Sequence, residues 1–183
     1  SGCPPVAYRA CESAGIVRAA TARRGIVGIE FNASGRATLG VEWEVLIVDA
    51  HSRHLRQEAQ RLLTELPELS ERPENPPLRH ELMQCTIEVV TGICETVAEA
   101  KSDLATSIAR LREATESRSA SLLCAGTHPL DDWRDQTLAP VLRYGELIDE
   151  MQWLARRAFT FGVHVHVGVR SRDKVIPMVN ALA

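Results

Sequence analysis

The segment Gly162-Val163-His164-Val165-His166-Val167-Gly168-Val169 alternates apolar and polar residues without a break. Neighbours two apart in an extended chain share a face, so a strand here sets three valines on one side and both imidazoles on the other. Val41-Glu42-Trp43-Glu44-Val45-Leu46-Ile47-Val48, rich in β-branched residues, reads as a second strand. In it Glu42 and Glu44 project together, about 7 Å apart, while Val41, Trp43 and Val45 take the opposite face. A third strand is predicted over Leu82 to Thr91, closed by Gly92. There Gln84, Thr86 and Glu88 share one face, Met83, Cys85, Ile87 and Val89 share the other, and Glu81 stands at the start.

Helical spacing appears between these segments. Leu55, Ala59, Leu62, Leu63 and Leu66 repeat on one side, with Arg53, Arg56, Gln57 and Arg61 on the other, which predicts an amphipathic helix. Pro73, Pro76 and Pro77 make Ser70 to Pro77 a loop. Thr96-Val97-Ala98-Glu99 has the capping-box pattern and opens a long helix whose stripe is Val97, Ala100, Leu104, Ile108 and Leu111. A short buried strand is expected over Ala120 to Ala125, ending at Gly126-Thr127-His128-Pro129, and a third helix from about Arg143 to Ala158. Residues 172–183 begin like a helix with Val175, Ile176, Val179 and Leu182, then stop without a capping glycine, so the sequence reads as cut inside an element. Residues 1–36, rich in Ala, Gly and Arg, read as a loosely ordered lead, distinct from residues 37–183. Such a start also fits a targeting presequence, but no cleavable apolar region follows it. Taken alone, the alternation of strands and helices favours a doubly wound parallel α/β sheet, although no glycine-rich phosphate loop follows any strand.

Composition narrows the function. With 21 Lys+Arg against 24 Asp+Glu, the net charge of -3 advertises no surface for nucleic acid or anionic lipid. Apolar runs are too short for a membrane span. Five scattered cysteines (Cys3, Cys11, Cys85, Cys94, Cys124) form no CxxC pair, so a reducing cytoplasm fits better than a disulfide framework or a zinc knuckle.

The chemistry-bearing residues are acids and imidazoles. A Glu-x-Glu pair is usually an exposed strand face bearing two solvated acids, and a His-x-His pair is as often an edge-strand surface as a set of metal or phosphate ligands. Glu88, among so many apolar neighbours, has to be exposed, ion-paired or metal-bound, because burying a lone carboxylate costs several kcal/mol. Glu42, Glu44, Glu81 and Glu88 with a histidine form an oxygen-rich, thiol-free set that suits Mg²⁺ or Mn²⁺ better than zinc. Arg143, followed by Tyr144, either grips an anionic group with its guanidinium fork or is an ordinary helix-surface arginine. His128 before Pro129 shapes a turn, and Cys85 and Cys94 read as buried small hydrophobes.

Four ordered motifs then coincide: Thr38-Leu39-Gly40-Val41-Glu42-Trp43-Glu44, Glu81 through Cys94, Cys124 through Pro129, and Gly162 through Val169. From about residue 36 onward they closely resemble the glutamate–cysteine ligase type 2 family, bacterial carboxylate–amine ligases, in its actinobacterial form and over its N-terminal half. The resemblance implies an α+β fold of the glutamine synthetase and glutamate–cysteine ligase type, a curved, mainly antiparallel sheet with outer helices, here incomplete at the C-terminus. That replaces the parallel-sheet expectation.

The same resemblance implies ATP-dependent activation of glutamate as γ-glutamyl phosphate, then displacement by the amine of cysteine to give γ-glutamylcysteine. Mg²⁺ or Mn²⁺ would be held by Glu42, Glu44, Glu81 and Glu88. ATP would be held near Glu44, His164 and His166, with Glu88, His164 and Arg143 as catalytic groups. Partners would be small molecules, namely glutamate and cysteine or another amine, with homo-oligomerisation as a further expectation. Trp43 stands where many family members have a third acid, but on the opposite face, so the two outer carboxylates survive. Two other classes stay open: a non-catalytic remnant that binds metal or nucleotide, and a zinc metallohydrolase built on the His-x-His strand.

Overall fold

The computed structural model describes residues 31–183 apart from 72, 73, 153, 155, 156 and 158. The chain divides into a unit Ser1–Phe31 and a unit Asn32–Ala183. Most of the expected lead therefore lies outside the described residues. Its last part does not: the Ser34 amide donates to the Val169 carbonyl at 3.0 Å, and Arg36 pairs with Glu95 at 2.5 Å.

Strand β1 (Leu39–Asp49) is the spine of the second unit. One of its edges pairs with β3 (Thr86–Val90), which in turn pairs with β2 (Leu78–His80). The other edge is divided between β5 (Val163–Val167), alongside Leu39 to Trp43, and β4 (Ala120–Leu123), alongside Leu46 to Asp49. All four pairings are antiparallel, which overturns the doubly wound parallel sheet and agrees with an α+β class. Local alternation of strands and helices favours a parallel sheet but does not decide strand direction. Direction is decided by pairings between segments far apart in sequence.

The odd-numbered face of β1 is the covered one. Val45 and Ile47 pack with Ile87 and Val89 of β3, Leu78 of β2, and Leu62 of α1 (Ala59–Glu65), all fully buried. Helix α3 (Val97–Glu116) closes this layer through Leu111, with Leu104, Ile108 and Trp43 packed against the cluster. Its capping box forms: the Thr96 side chain accepts from the Glu99 amide at 3.2 Å, and the Glu99 carboxylate reaches back to the Glu95 amide at 2.7 Å. Val97, the first residue of the expected apolar stripe, is exposed instead. The short helix α2 (Pro67–Ser70) buries Leu69 in the same cluster.

A second, smaller cluster lies on the even-numbered side. Leu46 meets Leu82, Met83, Cys85, Tyr144 and Phe161 there, and Phe159 and Phe161 pack edge to face with centroids 5.0 Å apart. The alternation predicted from Leu82 therefore breaks before Thr86. Met83 and Cys85 sit with Leu46 rather than with Ile87 and Val89, while Gln84 turns toward α1 and accepts the Gln60 amide. The cause is a separate partner for this stretch: the Gln84 amide donates to the Thr137 carbonyl at 2.8 Å, and the Ala139 amide to the Leu82 carbonyl at 2.9 Å.

One helix expectation shortens. Leu55 bridges Val48, and the Arg56 amide donates to the Ile47 carbonyl at 2.9 Å, so the chain stays extended until Ala59. The helix expected from Arg143 to Ala158 begins as α4 (Leu142–Met151), with Gln152 next at a positive φ of 53°; residues 153, 155, 156 and 158 of that stretch lie outside the described residues. The residues 172–183 form a single turn and then α5 (Val175–Leu182), whose Ile176, Val179 and Leu182 are exposed. No described helix is long and apolar enough to cross a membrane.

Candidate functional site

The even-numbered face of β1 carries the acids. Residues directly opposite in an antiparallel pair share a face, so register alone assembles the group. Glu44 stands opposite Glu88, Glu42 opposite His164, Gly40 opposite His166, and Arg79 of β2 opposite Glu88. Four of the residues singled out from sequence, Glu42, Glu44, Glu88 and His164, thus meet on one surface, with His166 one step along β5.

The contacts are specific. Glu42 Oε2 lies 3.0 Å from His166 Nε2 and 3.7 Å from His164 Nδ1. Glu44 Oε2 accepts the Gly162 amide at 2.8 Å, which ties β1 to the start of β5. Glu88 Oε1 is 3.7 Å from Arg79 Nη1, and the Glu88 side chain is only 16% exposed. Both histidines are exposed, as is all of β5.

Like charges opposite one another in a sheet repel, and here that repulsion registers in the acidities. Burial pushes the Glu88 carboxyl up, the neighbouring charges of Glu42, Glu81 and Glu44 push further, and Arg79 only partly offsets them, leaving it at about 7. Glu44 is also raised, first by burial and then by Glu81 and Glu42. The Gly162 amide and His164 act in the other direction. Glu81 is therefore electrostatically part of the same group although it lies outside any strand. As donors, four carboxylates with no thiol fit a hard divalent cation. Among the described residues, however, no three His, Cys, Asp or Glu side chains are grouped closely enough to hold a metal ion.

Two clefts flank the acidic row. One, of about 480 Å³, is bordered by Glu44, Glu81 and His164 on its polar side and by Leu82, Tyr144 and Phe161 on its apolar side. Helix α4 forms part of its wall through Tyr144, whose hydroxyl donates to the His80 carbonyl at 3.0 Å. Arg143 occupies the first turn of that helix, and its side chain lies outside the described set. The other cleft, of about 310 Å³, is bordered by Glu42, Thr91, His166 and Arg79. Arg79 is the residue of this surface that the sequence reading missed. Its place depends on the pairing of a three-residue strand that follows two prolines and carries no alternation of its own.

His128 has the structural role expected of it. It is buried, its Nδ1 accepts the Asp131 amide at 3.1 Å, and its Nε2 lies 3.0 Å from the Arg53 carbonyl, which makes Nε2 the protonated nitrogen. That clasp holds Arg53, which has a positive φ of 67°, against the loop that follows β4. Cys85 and Cys94 are buried, and burial pushes the Cys85 thiol up to about 11, as expected of packed hydrophobes rather than nucleophiles.

Fold and surface together define an α+β protein whose antiparallel sheet presents a row of carboxylates between two clefts. Residues 38–183 match the glutamate-cysteine ligase family 2 (GCS2), and the chain belongs to that family. It is 70% identical over 155 residues to "Putative glutamate--cysteine ligase 2" of Thermobifida fusca (strain YX), covering 85% of this chain and 39% of that protein. It is 49% identical over 154 residues to "Putative glutamate--cysteine ligase 2-1" of Frankia casuarinae, covering 84% and 40%. Similarity to "Putative glutamate--cysteine ligase 2" of Mycobacterium tuberculosis is 44% over 161 residues, covering 88% and 41%. The chain thus spans about two fifths of the length of these relatives.

Proposed function

We propose that this chain carries the metal- and phosphate-handling face of an ATP-dependent carboxylate–amine ligase that joins glutamate to cysteine. The sheet is then part of a glutamine synthetase and glutamate–cysteine ligase type of fold. The observation that carries the reading is the strand register that sets Glu42, Glu44, Glu88 and His164 on one face, with Glu81 and His164 bordering the adjoining cleft, in a chain of the glutamate–cysteine ligase family.

In this reading the γ-carboxylate oxygen of glutamate attacks the γ-phosphorus of ATP, the bond to the leaving oxygen breaks, and ADP departs. The amine nitrogen of cysteine then attacks the acyl carbon, loses a proton, and expels phosphate. Both steps gather negative charge, and the chain's task is to screen it and hold the reactants in line. Glu42, Glu44, Glu81 and Glu88, which are not drawn together closely enough here to hold a cation, are the residues that would have to converge on Mg²⁺ or Mn²⁺, and the ion would supply charge neutralisation at the transferring phosphoryl group. His164, exposed beside Glu42, is the group suited to take the amine's proton. His166 braces Glu42 at 3.0 Å and borders the smaller cleft. The larger cleft, with its apolar wall, suits a nucleotide base, and Arg143 in the first turn of α4 suits its phosphates. A cytoplasmic setting would supply ATP and keep the cysteines reduced.

The test is phosphate release from ATP and Mg²⁺ with glutamate, with and without cysteine, on this chain and on the full-length Thermobifida fusca relative. Release that requires glutamate and rises with cysteine supports the ligase. No release from the full-length relative with any amine sinks it.

A further inference from the structure

Arg79 is a cation in an acidic neighbourhood, and the chemistry above leaves it without a task. It is held on three sides. Its Nε donates to the Pro76 carbonyl at 3.2 Å, one terminal nitrogen donates to Asn75 Oδ1, and the other lies 3.7 Å from Glu88. The arm that carries these acceptors is itself fastened. Asn75 Nδ2 donates to the Thr91 carbonyl at 3.1 Å, and the Val90 amide donates to the Pro77 carbonyl at 2.8 Å. Two prolines in that arm reduce the freedom the loop would otherwise have.

A guanidinium has five N–H donors, and this arrangement engages only some of them. The side chain keeps 34% of its exposure and borders the 310 Å³ cleft, whose other walls include Glu42 and His166. A preorganised arginine at a cleft suits a carboxylate, because its planar fork makes two parallel charge-assisted hydrogen bonds. The surroundings add a second requirement. Glu42, which borders the same cleft, repels a ligand that carries only negative charge and attracts a positive group presented beside the carboxylate.

We propose that Arg79 is a substrate-binding residue, which takes the α-carboxylate of a zwitterionic α-amino acid in this cleft while the α-ammonium lies toward Glu42. The inference rests on the ligase reading for the choice of glutamate as ligand, and deepens it by naming where the amino-acid head group sits. Arg79 reads charge and shape at the end of the substrate remote from the reacting γ-carboxylate.

The experiment is calorimetric titration of this chain, without ATP, with three probes: L-glutamate, 4-aminobutyrate, which lacks the α-carboxylate, and glutarate, which lacks the ammonium. The wild-type chain is expected to bind L-glutamate roughly tenfold more tightly than either analogue, the scale of one charge-assisted contact. Arg79→Gln lowers L-glutamate affinity to that of 4-aminobutyrate and leaves 4-aminobutyrate unchanged. Arg79→Lys, which keeps the charge and the fold but loses the fork, recovers part of the difference.

Absence of L-glutamate binding, absence of preference for it over 4-aminobutyrate, or an equal loss for both probes in Arg79→Gln overturns the proposal. The last of these outcomes makes Arg79 a structural partner of Glu88. The two readings fail separately. An Arg79-dependent preference alongside a full-length relative that releases no phosphate keeps the subsite and removes the ligase. Phosphate release without the preference does the reverse.

Discussion

The two faces of one sheet differ in what holds them together. Ile87 and Glu88 are consecutive residues of β3, yet Ile87 packs among Val45, Leu62 and Leu111 with no exposed surface, while Glu88 faces another carboxylate. On the covered face, neighbours gain by being close. On the acidic face, closeness costs, and the residues stay together because the covered face holds the strands in register. A function that needs several carboxylates side by side is thus carried by the layer behind it.

Substitutions on the two faces should therefore have opposite signs. Ile87→Ala removes a fully buried side chain from the main cluster and is expected to cost about 3 kcal/mol of unfolding free energy, read from urea denaturation. A loss below about 1 kcal/mol would mean that the covered layer does not hold the acidic one.

Glu88→Gln is expected to stabilise, and only above a certain pH. The folded chain keeps the Glu88 proton up to about pH 7, whereas the ordinary value is 4.5. The folded state therefore binds more protons across that window, and its stability falls as pH rises from 4.5 to 7 and stays lower above. Removing the charge should give on the order of 2 kcal/mol at pH 8 and nothing at pH 4. Parallel pH–stability curves for the two proteins would refute this. In the full-length relative the matching change should lose phosphate release while raising stability, a pairing that a residue of the covered face cannot produce.

The smallest effect belongs to the edge of the covered layer. Thr96→Ala deletes the side-chain acceptor of the α3 cap and should cost about 1 kcal/mol at any pH, since the bond lost joins a neutral hydroxyl to a backbone amide. A pH-dependent cost would indicate that Glu99, which reaches the Glu95 amide, supplies the larger share of the cap.

How much of this was legible in the sequence follows from where the information sits. Strand β5, strand β1 and helix α3 announce themselves through alternation, β-branched residues and a capping box, all of which are local. Once those strands are paired, Glu42, Glu44, Glu88 and His164 have to share a face, so most of the acidic row could be named in advance. Three things lie outside the residue pattern, the first of them supplied only by the family resemblance. Antiparallel order is decided by partners far along the chain, and a regular succession of strands and helices conceals it. The stretch Leu82 to Cys85 takes its partner from Thr137 to Ala139, residues with no strand pattern, so the predicted alternation failed there and inverted Met83, Gln84 and Cys85. Arg79 escaped for the same reason, because its neighbours are set by a pairing and a loop rather than by spacing.

The division of one edge of β1 between β4 and β5 also bears on how the chain acquires its structure. Trp43 meets Val89 on one side and Val163 on the other, so β1 is complete only when a segment more than a hundred residues downstream has arrived. Contacts of such separation are costly to close and belong to slow-folding topologies. During synthesis β1 leaves the ribosome well before β5, and in that interval its Leu39 to Trp43 edge is a bare row of amides and carbonyls, open to pairing with another nascent chain. Glu42 and Glu44, in the middle of that early strand, give it a charge that like strands repel, so the residues that make the acidic surface also guard the chain before the surface exists.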